Sequence, residues 1–196
     1  SASILYLKKM VSGFPALNII TGASTFKAYQ PGEKLSVTAR KSRSQGFLYD
    51  AFNTGLQINN REIEIYHKSK LVPGVERMPF PALFKPIESW AIDLGGTSGS
   101  LGTQEKRIPF TSVDGHSRIA PVICYESIYG EFVSEYIRNG AEAIFIITND
   151  GWWGDTPGYR QHLAYGTLRA IETRKDIIRS ANTGISCYID QLGNIH

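Results

Sequence analysis

The sequence has few of the residues that would tie it to a disulfide scaffold, a metal ion or a membrane. Two cysteines among 196 residues are too few for a disulfide framework. No window approaches the roughly 18 consecutive apolar residues of a transmembrane helix, and the N-terminus lacks the basic flank and apolar run of a signal peptide. The four histidines have no metal-ligand spacing; they are His67, His116, His162 and His196. We therefore predict a globular domain with no metal site and no membrane span of its own.

Signals for nucleotides and nucleic acids are also missing. Gly95-Gly96 is not followed by the Lys-Ser/Thr pair of a phosphate-binding loop, so no cofactor is expected. The net charge of +3 is mild, and the densest basic stretch, residues 40–43, has no aromatic residues interleaved with it. Nucleic-acid binding is therefore not predicted. That stretch is interpreted as a solvated loop, with weak attraction to anionic lipid headgroups as the alternative.

The pattern of apolar residues predicts a layered α/β fold, because runs rich in β-branched residues alternate with segments of helical period. With 42% hydrophobic residues, the chain is long enough for one sizeable core. Asn59-Asn60-Arg61 favours a tight turn between two strands. The helix at about 161–175 is expected to bury an apolar face of Leu163, Leu168 and Ile171. A further helix is predicted at about 131–138, between two strands, so that residues 119–148 form a parallel crossover unit. The predicted strands are 16–20, which is expected to be buried, and 47–58, 62–66, 119–123, 143–148, 177–180 and 185–189.

Cys124 is the candidate nucleophile, because it follows the apolar run 119–123 and begins a polar turn. A thiolate at a strand end can attack an ester or amide carbonyl and hold the acyl group covalently. A lone cysteine is more often a buried core residue, which is the interpretation given to Cys187. Lys68 also stands at a strand end, before a long loop, where an ammonium group could stabilise an oxyanion. Taken alone, a lysine there is usually a surface charge.

Several motifs occur together and in order along the chain, and their combination is far more specific than any one of them. They are Tyr66-x-Lys68-x-x-Leu71-Val72-Pro73, Glu76, Cys124-Tyr125-Glu126, the Asn-Asp-Gly-Trp-Trp-Gly run at 149–154, Arg169-Ala170-x-Glu172, and Arg179-Ser180-x-Asn182-x-Gly184-Ile185. With these motifs the chain resembles the nitrilase superfamily of carbon-nitrogen hydrolases. Within it, the chain most closely resembles the periplasmic catalytic domain of the bacterial apolipoprotein N-acyltransferases.

The resemblance implies a four-layer αββα sandwich with mixed sheets and a Glu-Lys-Cys triad. Cys124 would be the nucleophile and Lys68 would hold the oxyanion, so the two side chains are expected to converge on one carbonyl carbon. Glu76 matches an additional glutamate of the family that orients the lysine and the incoming amine. Three further residues match positions that support the site or shape the acyl pocket, namely Tyr125, Glu126 and Trp152.

The resemblance also implies that residues 1–196 are one carbon-nitrogen hydrolase domain that is incomplete at both ends. The general-base glutamate of the family would precede Ser1, the last strands would follow His196, and the multi-helix membrane region would lie outside this chain. We therefore expect these residues to be inactive by themselves. Part of the apolar segment 78–84 is interpreted as a lid that faces the bilayer, and the alternative is a loop that packs its own side chains.

The expected activity is an N-acyltransferase of the bacterial inner membrane, with its catalytic domain on the periplasmic face. It would move a fatty acyl group from a phospholipid, through a Cys124 thioester, to the N-terminal amine of a diacylglyceryl-cysteine apolipoprotein. One alternative is a soluble amidase or nitrile hydrolase of the same superfamily, with water as the second nucleophile. Another is a catalytically inactive domain that keeps the sandwich and binds a partner.

Overall fold

The computed structural model describes residues 2–42, 46–73, 75–76 and 101–196. The segment 78–84, where the lid is expected, and Gly95-Gly96 lie outside these residues. No helix in the described part is long and apolar enough to cross a bilayer. The described helices are α1 (Ala2–Ser12), α2 (Gly130–Arg138) and α3 (Gly158–Thr173), with short 3-10 helices at Cys124–Ile128 and Gly151–Trp153. The strands are β1 (Ile19–Ala28), β2 (Arg40–Lys41), β3 (Leu48–Ile58), β4 (Ile63–His67), β5 (Phe110–Thr111), β6 (Arg118–Ile123), β7 (Ala143–Thr148), β8 (Asp176–Ala181) and β9 (Cys187–Ile189).

The strands form two sheets. In the first sheet β3 lies between β1 and β2 and also pairs with β4. The second has the order β5-β6-β7-β8-β9, with β6, β7 and β8 parallel and the two outer strands antiparallel to their neighbours. The predicted crossover from β6 through α2 to β7 is therefore confirmed, and so is the pairing of β3 with β4.

The turn between β3 and β4 is held by Asn59, which is almost fully buried. Its side-chain oxygen accepts hydrogen bonds from the backbone N–H groups of Arg61 and Glu62, each at 2.9 Å. An asparagine that bonds its own backbone two or three residues ahead favours a tight turn. The tight turn predicted at Asn59-Asn60-Arg61 is therefore present, and the Asn59 side chain holds it.

The chain forms two compact units. The first comprises Ser1–Gly22, Gly55–Tyr66 and Lys106–His196, and the second comprises the described residues of 23–54 and 67–105. The first unit contains the second sheet with α2 and α3, together with the hydrophobic core. Its fully buried core residues include Tyr66, Phe132, Tyr136, Ile144, Ile146, Ile177 and Ile189.

Glycines let other strands approach the second sheet closely within the first unit. A Cβ on Gly22 would lie 3.0 Å from Ile147, and a Cβ on Gly55 would lie 3.5 Å from the same side chain. Strand β6 is buried along five of its six residues. This matches the continuous apolar run of a parallel strand covered on both faces.

Helix α3 differs from its prediction. Leu163 is buried, but Leu168 and Ile171 are 42% and 44% exposed, so the expected apolar face is wrong. The buried positions are His162, Leu163, Gly166, Arg169 and Ala170. Gly166 allows the close approach, since a Cβ there would meet Ile189 at 3.2 Å. Apart from Leu163, the buried positions of this helix therefore carry small or polar residues.

Two further expectations are corrected. Strand β1 begins at Ile19 and runs to Ala28, and it is half-buried at first and then largely exposed instead of being a buried run at 16–20. Cys187 is half-buried and packs at the margin of the core instead of within it. Burial raises the pKa of its thiol.

In the second unit, the segment before β2 is attached to β3 through the Asp50 carboxylate. Asp50 is buried and accepts hydrogen bonds from the hydroxyl groups of Tyr29, Ser36 and Thr38. The Ser36 and Thr38 bonds measure 2.7 and 2.9 Å. Buried carboxylates are stable when donors satisfy them in this way.

Candidate active site

Cys124 occupies a strained backbone position at the end of β6. Its φ is 49°, in the left-handed region, and among the described residues only Arg174 is another non-glycine with positive φ. An L-residue pays about 1–2 kcal/mol for this conformation. Such outliers cluster at active sites, where the surrounding structure enforces them. The thiol is free and half-buried. The strand end thus presents a sulfur on a constrained turn.

Glu126, two residues further on, has a fully buried side chain. One carboxylate oxygen accepts the backbone N–H of Ile123 at 2.8 Å, and the other accepts the hydroxyl of Tyr66 at 2.7 Å. The carboxylate therefore ties the turn at Cys124 to the end of β6 and to β4. Glu126 is therefore a buried structural contact of this turn and not a solvated surface charge.

His162, from the first turns of α3, lies against the main chain of Cys124. Its Nε2 is 3.0 Å from the Cys124 carbonyl oxygen and 3.0 Å from the Ser127 hydroxyl. The Ser127 hydroxyl also donates to the same carbonyl at 2.9 Å. Two side chains from different elements therefore hold the carbonyl of the candidate nucleophile.

Asp150 holds the other side of the histidine ring. Its Oδ1 is 2.9 Å from His162 Nδ1 and accepts the Thr148 hydroxyl at 2.9 Å, and its Oδ2 accepts Arg179 Nη2 at 2.5 Å. Burial alone would raise the pKa of Asp150, but hydrogen bonds from His162 and Arg179 outweigh it and lower the pKa to about 2. Asp150 is therefore ionised at neutral pH.

The sheet topology explains why these groups meet. Cys124 and Asp150 follow the neighbouring parallel strands β6 and β7, and Arg179 lies in β8, the next parallel strand. The carboxyl ends of parallel strands share one edge of a sheet, where α/β proteins place their ligand sites. Arg179 is fully buried and also donates to the carbonyl of Ile185.

The loop after β7 is fixed by the segment that follows β8. Asn149 Oδ1 accepts the Gly151 N–H at 3.2 Å and the Thr183 hydroxyl at 2.5 Å. The Asp150 N–H donates to the Thr183 carbonyl at 3.1 Å. Gly184 has a φ of 106°, and a Cβ there would lie 2.9 Å from Asp150. A larger residue would therefore collide with the carboxylate that holds His162.

The aromatic residues beside the site are half-buried. Trp152 and Trp153 stack with their ring centroids 4.1 Å apart, and Trp153 packs on Gly158 at the start of α3. Tyr125 meets Tyr129 edge-on at 5.5 Å. These rings are neither core residues nor freely exposed ones.

In the second unit, Lys68 and Glu76 form a buried ion pair. Lys68 is 1% exposed, and its Nζ lies 2.7 and 2.9 Å from the two carboxylate oxygens of Glu76. Glu76 also accepts Asn53 Nδ2 at 3.0 Å and the Val72 N–H at 2.8 Å. The surface-charge interpretation of Lys68 is therefore wrong. Buried ionisable groups with specific partners are candidates for functional sites.

A sequence model of the carbon-nitrogen hydrolase family matches residues 34–196. The chain belongs to the carbon-nitrogen hydrolase family. The apolipoprotein N-acyltransferase of Chlorobaculum tepidum is 38% identical over 154 residues, which is 76% of this chain and 29% of that protein. Those of Rhizobium meliloti and Rickettsia typhi are 42% and 39% identical over 64% and 76% of this chain, and 23% and 28% of their own lengths. The chain thus spans less than a third of these relatives.

Solved structures confirm the expected fold. A Saccharomyces cerevisiae member of branch 10 of the nitrilase superfamily matches all of the chain and 59% of its own, with a TM-score of 0.59 at 16% identity. An amidase from Nesterenkonia sp. matches 99% of the chain and 60% of its own, with a TM-score of 0.60 at 15% identity. The mixed α/β architecture with two sheets is therefore that of the nitrilase superfamily, as the motifs implied.

The residues predicted for the active site fall into both units. Cys124, Tyr125, Glu126 and Trp152 lie in the first unit, and the Lys68–Glu76 pair lies in the second. The contact between Glu76 and Lys68 that the resemblance implied is present. The roles of all six residues, and the convergence of Lys68 with Cys124, stay predictions.

Sequence spacing did not reveal the histidine cluster. Atoms of Cys124, Asp150 and His162 that could bind a metal lie within 4.8 Å of one another. Both ring nitrogens are already hydrogen-bonded, however, and Asp150 is bonded to a guanidinium group. These contacts make the cluster a hydrogen-bond network. One signal existed in the sequence, because the small and polar residues of α3 recur at helical spacing; they are His162, Gly166, Arg169 and Ala170.

Proposed function

We propose that this chain is the catalytic part of an N-acyltransferase that transfers a fatty acyl group from a phospholipid to the N-terminal amine of a diacylglyceryl-cysteine apolipoprotein. The observation that carries the proposal is an identity of 35–42% with proteins named apolipoprotein N-acyltransferase, over most of the chain. The strained position of Cys124 and the buried charges around it support the proposal, because acyl transfer needs a fixed nucleophile and preorganised electrostatics.

In the first step, a general base removes the Cys124 thiol proton, and the sulfur attacks the ester carbonyl carbon of the phospholipid. The carbonyl electron pair moves onto oxygen, and the Lys68 ammonium stabilises the oxyanion. When the intermediate collapses, the ester C–O bond breaks. The lysophospholipid oxygen takes the proton from the base, and Cys124 keeps the acyl group as a thioester. From the family resemblance, the base is expected to be a glutamate that precedes Ser1.

In the second step, the free amine of the lipoprotein cysteine attacks the thioester carbonyl. The C–S bond breaks, the amine loses a proton to the base, and the product is an amide with Cys124 released. Glu76 orients Lys68 and the amine, which is consistent with the bonds that fix its carboxylate. Tyr125, Glu126 and Trp152 support the nucleophile and shape the acyl pocket.

The proposal includes a location and two partners. The complete protein would lie in the bacterial inner membrane through a region outside residues 1–196, with this domain on the periplasmic face. The phospholipid is the acyl donor, and the apolipoprotein is the acceptor. Neither a cofactor nor a metal takes part in the proposed reaction.

A second candidate is an amidase-type hydrolase, and the shared fold with the Nesterenkonia amidase favours it. The nucleophile would be the same, but water would replace the amine in the second step. The two candidates differ in the product released from the thioester, which is an amide in one case and a free carboxylic acid in the other.

The test uses the complete protein in detergent with a phospholipid that carries a labelled acyl chain. We expect a labelled, hydroxylamine-sensitive adduct that Cys124→Ala abolishes and Cys187→Ala keeps, since Cys187 belongs to β9 and not to the turn after β6. A diacylglyceryl-cysteine peptide with a free amine should discharge the adduct as an amide, and an N-acetylated peptide should not. An adduct that persists in Cys124→Ala would refute the assignment of the nucleophile. Discharge to the free fatty acid with both peptides would favour the hydrolase.

A further inference from the structure

His162 is a buried histidine that the proposed mechanism does not use. It is 5% exposed, and its ring lies between the Cys124 main chain and the Asp150 carboxylate. We propose that His162 is a positioning residue for the nucleophile, whose Nε2–H holds the Cys124 carbonyl and so maintains the left-handed backbone that directs the sulfur. This inference rests on the proposed function, in which Cys124 carries the acyl group.

The hydrogen on Nε2 follows from its neighbours. A carbonyl oxygen can only accept, so the 3.0 Å contact with the Cys124 carbonyl is a hydrogen bond only if Nε2 carries the hydrogen. The Ser127 hydroxyl, also 3.0 Å from Nε2, donates its own hydrogen to that carbonyl. The nitrogen nearest to Cys124 is therefore a donor. Because it cannot at the same time accept the thiol proton, His162 acts on the backbone and not as the general base.

The opposite side of the ring is fixed by groups from two strands. Nδ1 lies 2.9 Å from Asp150 Oδ1, and Asp150 is held in turn by Thr148 at the end of β7 and by Arg179 in β8. Arg179 Nη2 is also 3.2 Å from Nδ1. Contacts with Asp150 and Arg179 thus fix Nδ1, and contacts with the Cys124 carbonyl and the Ser127 hydroxyl fix Nε2. The ring therefore has one orientation, and that orientation delivers Nε2–H to the carbonyl.

The consequence for chemistry is geometric. The φ of 49° at Cys124 is unfavourable for a residue with a side chain, so the turn needs external restraint to keep it. If the restraint is lost, the turn relaxes and the sulfur shifts, and a misplacement of about 1 Å can cost on the order of 100-fold in rate. The loss would fall on the rate of acylation and not on phospholipid binding.

Two amide replacements separate this role from general support of the fold. In His162→Gln, the side-chain N–H reaches the position of Nε2, so the bond to the Cys124 carbonyl is kept. In His162→Asn, the shorter amide reaches only the position of Nδ1, so the bond to Asp150 can be kept but the bond to the carbonyl is lost. Both remove the ring and any charge on it. The matched control is His116→Asn, the same replacement at an exposed turn position.

The experiment measures single-turnover formation of the Cys124 thioester in the complete protein, as a function of labelled phospholipid concentration. The expected result is that His162→Gln stays within about threefold of the wild-type rate, and that His162→Asn is roughly 10- to 100-fold slower at saturating phospholipid with an unchanged half-saturation concentration. Without any substrate, the rate of Cys124 alkylation by iodoacetamide, followed by mass spectrometry, should rank the wild type, His162→Gln and His162→Asn in the same order. The His116→Asn control should match the wild type in both assays.

Equal losses in His162→Gln and His162→Asn would overturn the proposal, and so would an unaltered rate in His162→Asn. A His162→Gln protein that does not fold would also count against it, because the proposal requires the retained donor to be sufficient. If the wild type forms no Cys124 adduct, the proposed function fails. The alkylation rates then still decide whether His162 positions the sulfur.

Discussion

Replacement of Asp150 by asparagine tests the charge network beneath the candidate nucleophile. Asp150 and Arg179 side chains are 1% and 0% exposed, and their closest atoms are 2.5 Å apart. Asp150→Asn removes the negative charge and leaves the guanidinium group buried without a counter-ion. Breaking a buried pair from one side usually costs about 3–5 kcal/mol. We therefore expect the free energy of unfolding at neutral pH to fall by about that amount.

The pKa of Asp150 adds a pH dependence with a definite sign. Its pKa is lowered from 3.8 to about 2 in the folded protein, so ionised Asp150 stabilises the fold above the unfolded-state pKa. At about 1.4 kcal/mol for each pKa unit, this contribution is between about 2 and 3 kcal/mol at pH 5. It declines as the pH falls towards 2, and about 1 kcal/mol of it is left at pH 3. Asparagine cannot titrate, so the difference in free energy of unfolding between wild type and Asp150→Asn should decrease as the pH falls.

Urea unfolding of both proteins at pH 5 and pH 3 measures this effect, below the range in which an ordinary histidine titrates. The difference in free energy of unfolding between wild type and Asp150→Asn is expected to be smaller at pH 3 than at pH 5, by about 1 kcal/mol or more. Asp155→Asn is the matched control, because Asp155 is exposed on the same loop and should change stability little at either pH. A difference between wild type and Asp150→Asn that is the same at both pH values would refute the reasoning that Asp150 is an ionised, paired group.

Two further replacements test other contacts by urea unfolding. Glu76→Gln should lower the free energy of unfolding by about 3–5 kcal/mol, because it leaves the buried Lys68 ammonium without its counter-charge; a loss below about 1 kcal/mol would contradict the buried pair. Gly184→Ala should lower the free energy of unfolding more than Gly115→Ala does. Both glycines have positive φ, but only at Gly184 would an added Cβ lie 2.9 Å from Asp150. Gly115→Ala should cost about 1–2 kcal/mol from backbone strain alone, and equal losses in the two variants would argue against the collision.

Elements defined by apolar periodicity and turn residues were predictable from the sequence. The strand 143–148 was predicted with its observed bounds, and α2 and β6 were each within one residue. In both strands the apolar run is continuous because parallel strands are covered on both faces. The nitrilase-superfamily fold was also predictable, because its motifs lie at strand ends in a fixed order along the chain.

Helix α3 shows where this reasoning fails. Its apolar residues Leu168 and Ile171 are more than two-fifths exposed, while its buried face carries His162 and Arg169. Periodicity assumes that apolar residues turn inward, and it assigns charged residues to the surface. That assumption breaks down where a buried polar residue has its own partner. The Arg169 guanidinium, for example, donates to the Ile128 carbonyl at 3.1 Å and to Glu172 at 2.9 Å.

Lys68 shows the same limit in the second unit. A lysine that follows a strand is normally a solvated charge, and only the accompanying motifs argued otherwise. The structure buries its ammonium against Glu76, whose carboxylate is in turn bonded by Asn53 and the Val72 N–H. The partner is eight residues away across a loop, where neither the helical nor the strand period applies.

The buried charges of the two units are better explained by function than by stability. Replacing both partners of a buried ion pair by well-packed apolar residues is often neutral or stabilising, so stability alone does not explain why Asp150–Arg179 and Lys68–Glu76 are charged. What a buried pair does provide is a fixed direction for the groups bonded to it. In the first unit, Asp150 contacts one nitrogen of the His162 ring, and the other ring nitrogen contacts the Cys124 carbonyl. In the proposed function, the buried Asp150–Arg179 pair therefore serves to hold the histidine that orients Cys124.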